Sequence, residues 1–107
     1  MPKYLFHANY VGDGIKGLLK EGGSSRKAAV ETLFKSVGGT VEAFYYAFGD
    51  TDLYIIADFP DNVSTAAMTL TVAAAGAATV KTTILLTPEE IDAAAKKTPH
   101  YRAPGKS

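Results

Sequence analysis

The stretch "TVEAFYYAFGDTDLYIIADF", residues 40–59, constrains the fold more than any other part of the chain. Two runs rich in aromatic and β-branched residues, a composition that fits a pleated and half-buried surface, flank a turn made of Gly49, Asp50, Thr51 and Asp52. So short a connection leaves only an antiparallel hairpin, and Pro60 stops the second run. A two-residue turn at Asp50-Thr51 would pair Phe48 with Leu53, Tyr46 with Ile55 and Phe44 with Ala57. One face is then bulky and apolar, suited to contact with helices. The other sets Ala43, Tyr45 and Ala47 against Tyr54, Ile56 and Asp58.

The remaining elements follow from periodicity. "KYLFHANY" alternates Tyr4, Phe6, Ala8 and Tyr10 with Leu5, His7 and Asn9, the period of a strand. Asp13 is placed to cap a short helical turn that Gly22-Gly23 would end. Ser24 or Ser25 would cap a longer helix carrying Val30, Leu33, Phe34 and Val37 on one face, stopped by Gly38-Gly39. After Pro60, Asp61 or Asn62 opens an alanine-rich helix closed by Gly76. Its apolar or small groups lie almost all round, which predicts a helix sandwiched between neighbours. "ATVKTTILL" alternates as a fourth strand, and "TPEEIDAAAKK" combines Thr87, Pro88 and Glu90 in a capping box.

Strand, helix, strand, strand, helix, strand and a short extra helix make an α+β chain of the ferredoxin-like split βαββαβ kind. Its four-stranded antiparallel sheet carries the helices on one face. Residues 1–97 form this single domain, and residues 98–107 a proline-spaced tail. The uncovered face, with Ile56 and two tyrosines, would expose much apolar area in a monomer. The expectation is a twofold dimer packing two sheets face to face, with Tyr101 and Arg102 of the tail docking on the partner subunit.

Composition narrows the function classes. Lys+Arg and Asp+Glu balance at 11 each, so no bulk charge recruits nucleic acid or an acidic membrane. The absence of cysteine removes disulfides, thiolate metal sites and cysteine nucleophiles. The most apolar stretch, residues 66–80, is too short to span a bilayer, and the N-terminus shows no secretory leader. A cytoplasmic protein is expected.

Taken together, "KYLFHANYVGDGIKGLLKEGG", "SSRKAAVETLFKSVGG", "EAFYYAFGDTDLYIIADFPDN" and "VKTTILLTPEEID" resemble the GYD-domain proteins, small members of the dimeric α+β barrel group. The turn that names that family is here Gly49, Asp50, Thr51, Asp52, with Thr51 in place of the family's tyrosine. The resemblance implies a ferredoxin-like protomer and a dimeric barrel. Its wider group includes cofactor-independent monooxygenases, isomerases, sensors and binding proteins, among which fold alone does not choose.

Within the sequence itself, Gly49 can supply a positive φ, and Asp50 and Asp52 can accept turn hydrogen bonds. Asp52 is also a candidate ligand anchor. Two carboxylates in a turn lack the convergent oxygens a hard cation needs, so no metal is expected. His7 could move a proton, with Asn9 or Tyr54 steadying the resulting oxyanion. Tyr45 and Tyr54 are candidate ligand-lining residues. Asp58 is another, and as a strand carboxylate it needs a partner such as Lys81. Lys16, Lys20, Arg26 and Lys27 read as solvated charges. No P-loop, dinucleotide fingerprint or nucleophile elbow is present, and no cofactor is expected. The leading expectation is a homo-oligomeric protein binding a small apolar or aromatic ligand. Alternatives are a cofactor-independent enzyme using His7 and an assembly protein without a pocket.

Overall fold

Strand β1 (Lys3–Tyr10) runs through the middle of the sheet in a computed structural model that describes residues 1–106. Two helices follow, α1 (Gly14–Glu21) and α2 (Gly23–Lys35), then the hairpin β2 (Thr40–Tyr46) and β3 (Leu53–Asp58). Helix α3 (Asn62–Ala75), strand β4 (Ala78–Leu85) and helix α4 (Pro88–Ala95) complete the chain. The sheet order is β2-β3-β1-β4 and every pairing is antiparallel. This is the α+β, ferredoxin-like split architecture expected from the element order.

The core forms where the period-two face of β1 meets the helices. Tyr4, Phe6 and Ala8 lie opposite Ala57, Ile55 and Leu53 of β3, and all are buried. Phe34 from α2, Met68 from α3 and Phe59 after β3 close over them. Phe59 has its ring centroid 5.9 Å from Tyr4, 5.7 Å from Phe6 and 5.1 Å from Phe34, within the range of favourable aromatic pairs. Gly39 admits that ring: a Cβ there would stand 2.7 Å from Phe59 Cε1.

The hairpin differs from the two-residue turn in its register. Tyr46 pairs with Leu53 and Phe44 with Ile55, a shift of two residues that keeps these side chains on their expected face, whereas Val41 pairs with Ala57, a shift of three that turns Val41 toward the core. Ala47 N–H donates to Asp52 O at 2.8 Å, so the loop spans residues 47–52 and carries Phe48 into solvent. A bulge at Glu42 absorbs the extra residue further down the ladder. Gly49 has no positive φ; Gly38 (85°) and Gly76 (76°), which end α2 and α3, do.

Helix ends follow side-chain chemistry where caps exist. Asp61 Oδ1 accepts from Ser64 N–H at 2.7 Å and starts α3, while Thr87 and Glu90 form the expected capping box of α4. Helix α2 begins one residue before Ser24, with Gly22 at its cap and no side-chain cap hydrogen bond. Asp13 likewise makes none for α1. Nor is α3 sandwiched: only Thr65 and Met68 are buried, and Val63 and Leu70 stand exposed, because no element covers the helix from outside.

Helix α4 and the following segment form an arm. Residues 86–102 are exposed throughout, Ile91 and Tyr101 among them. The radius of gyration is 17.3 Å and the longest extent 60 Å, against about 13 Å expected for the radius of a compact chain of this length. Among the described residues, no helix is long and apolar enough to cross a membrane.

Candidate functional site

A cavity of about 110 Å³ lies between the helix-facing side of the sheet and helices α2 and α3. Phe6 and Ala8 of β1, Leu53 and Ile55 of β3, and Ala78 and Val80 of β4 form its floor. Ala29, Val30, Leu33 and Phe34 of α2 and Met68 and Val72 of α3 form its walls. It exists because small residues meet there: Ala8, Ala29 and Ala78 leave space that Phe34 and Met68 do not fill.

Two lining side chains carry polar groups, Tyr10 at the end of β1 and Arg26 in the first turn of α2. Arg26, expected from sequence to be a solvated charge, stands four and seven residues before Val30 and Leu33, on the apolar stripe of the same helix. That spacing is the signal that could have placed it. Its Nη1 lies 3.7 Å from Glu21 Oε2. Tyr46 closes the neighbourhood, its hydroxyl donating to Gly23 O at 3.0 Å. Burial, followed by the neighbouring Tyr10 phenol, pushes Tyr46 up to about 12, against an opposing pull from Arg26.

The residues singled out from sequence lie on the other face of the sheet. His7 pairs with Tyr54 of β3 and Lys81 of β4, and Tyr54 pairs with Tyr45, so one row crosses the sheet. The His7 and Tyr54 rings meet edge to face at 5.2 Å. Leu5 and Ile56 form the adjacent row. At one end, Asn9 and Asp52 tie the hairpin to β1. Asp52 N–H donates to Asn9 Oδ1 at 2.9 Å, while Asp52 Oδ2 accepts from Tyr10 N–H at 2.9 Å. These bonds occupy both side chains in holding the turn.

Asp58 lies at the opposite end, and its partner is Lys3 rather than Lys81. Lys3 Nζ approaches Asp58 Oδ1 at 3.1 Å and Glu42 Oε2 at 2.6 Å. The hydrogen bonds that Lys3 donates, to Glu42 first and Asp58 second, raise its ammonium above the usual range. The sheet therefore brings together His7, Tyr54 and Tyr45, and separately Asn9 with Asp52, but leaves Asp58 two rows from His7. Among the described residues, no group of three or more His, Asp or Glu side chains is placed to hold a metal ion.

Comparison with curated proteins and with solved structures gives no significant match. The family model described as GYD domain does match, over residues 4–95, and the chain belongs to the GYD domain family.

Proposed function

We propose that the protein is a cytoplasmic, homodimeric small-molecule-binding protein whose ligand enters the cavity between the sheet and helices α2 and α3. The observation that carries this reading is the cavity's make-up. A partly open apolar space with one cation and one phenol has the composition of a small-ligand site: apolar walls for affinity, a few polar groups for orientation.

The dimer rests on two surfaces. The open sheet face exposes Tyr45 and Tyr54 beside Leu5 and Ile56, a tyrosine-rich mixture characteristic of interfaces. The arm carries Leu86, Ile91 and Tyr101 into solvent, with no cover from its own domain. A second copy supplies cover for both, and the arm's Tyr101 and Arg102 then dock on the partner.

A second reading, cofactor-independent proton transfer at His7, draws on the His7–Tyr54 contact. Loss of turnover in His7→Ala, with ligand affinity and folding intact, separates it from simple binding. Native mass spectrometry of protein purified from its own source tests the main reading. It should report a dimer with a retained small molecule on each subunit. A monomer, or a dimer that neither retains nor takes up any small apolar compound, would refute it.

A further inference from the structure

We infer that the ligand of this cavity is a small carboxylate whose apolar body is about the size of a single ring, with the carboxylate held at Arg26. The inference rests on the cavity being a ligand site and adds to it the chemical class.

The size follows from the volume. An engineered apolar cavity of about 150 Å³ accepts benzene, so about 110 Å³ limits the enclosed body to one ring or a short chain. Phe6, Leu33, Phe34, Leu53 and Met68 offer that body only apolar contacts. A larger ligand would have to extend through the mouth.

The charge follows from the polar groups. Arg26 is the one cation among the described residues lining the cavity. Its separation of 3.7 Å from Glu21 exceeds the length of a charge-assisted hydrogen bond, about 2.7–2.9 Å. Glu21 is thus a loose, partly exposed partner, and the guanidinium fork can still turn an edge to a planar, bidentate acceptor, a geometry that a carboxylate matches. Helix α2 adds to the field: Gly22 supplies no side-chain cap and the first turn holds no acid, so the positive end of the helix dipole is opposed there only by Glu21 at the end of α1. Tyr10 provides a phenol at the same end. With the Glu21 carboxylate already beside Arg26, each further negative charge is opposed, which favours a monocarboxylate over a doubly charged phosphate.

Benzoate and benzamide test the inference, since they share a ring and differ in charge. Their affinities are measured by calorimetry on wild-type protein, Arg26→Gln and Arg26→Lys. Wild type should bind benzoate about tenfold or more tightly than benzamide, the effect of one charge-assisted pair. Arg26→Gln should erase that preference by weakening benzoate far more than benzamide, while Arg26→Lys should keep part of it. Equal binding of the two compounds to wild type, or a preference that survives Arg26→Gln, overturns the carboxylate assignment while the cavity remains a ligand site. Binding of neither compound overturns both.

Discussion

Phe48 and Phe59 are the same residue type near opposite ends of one hairpin, and the observed register gives them opposite energetic roles. A two-residue turn would place Phe48 against Leu53 on the helix side, where truncation to alanine costs about 3–5 kcal/mol. The observed loop leaves Phe48 fully exposed, so Phe48→Ala should change stability by no more than about 0.5 kcal/mol. Phe59 is fully buried and touches three other rings. Phe59→Ala should therefore cost about 3–5 kcal/mol, a large share of the roughly 5–15 kcal/mol that holds a domain together. Phe59→Leu keeps most of the apolar volume and loses the ring pairs. At about 0.5–1.5 kcal/mol for each pair, and allowing for non-additivity, it should cost about 2 kcal/mol. Urea unfolding at one fixed protein concentration reads these values, because any dimer makes stability concentration-dependent. With a slope of about 1–3 kcal/mol/M, Phe59→Leu should lower the midpoint by roughly 1 M. A Phe48→Ala loss as large as that of Phe59→Leu would refute the register, and an unchanged Phe59→Leu midpoint would refute the aromatic core.

The remaining predictions concern the hairpin tie and the mouth of the cavity. Asp52→Ala removes the acceptor for Tyr10 N–H and should cost about 1–3 kcal/mol in urea unfolding. Asp52→Asn, which keeps a neutral acceptor oxygen, should cost less; equal losses would mean that the hydrogen bond is not what the residue contributes. Tyr46, raised to about 12, should ionise roughly two pH units after a free phenol. Because this acid holds its proton more tightly when folded, its contribution to stability is complete below pH 10 and declines as pH rises from about 10 to 12. Absorbance titration at alkaline pH should lose a late-ionising phenol in Tyr46→Phe relative to wild type. A late amplitude unchanged by the substitution would contradict the Tyr46 assignment.

Much of the fold could be read locally. Period-two alternation in residues 3–10, the capping box at Thr87 and Glu90, and the glycines after α2 and α3 are short-range signals, and all three held. Side-chain parity between the turn and Ala43 also survives a register shift of two residues, because faces repeat every two positions; beyond the bulge the shift is three and Val41 changes face. What failed was set by tertiary context. The alanine-rich composition of α3 suits close packing, but composition does not say whether a second layer is present, and here its outer side is bare. Asp58 pairs with Lys3 because the register of β1 against β3 sets the two residues directly opposite each other. His7, Tyr45 and Tyr54 were grouped correctly on one face. The cavity lies on the other, where the spacing of α2 and α3 creates it and a charged residue one turn from Val30 marks its mouth.

Methyl-resolved NMR during titration with benzene tests most directly whether the helix side of the sheet binds ligand. The account predicts saturable shifts at Val30, Leu33, Leu53, Met68 and Val72, which line the cavity, and none at Leu5 and Ile56 on the opposite face. Shifts confined to Leu5 and Ile56, or no saturable shifts at all, would contradict it.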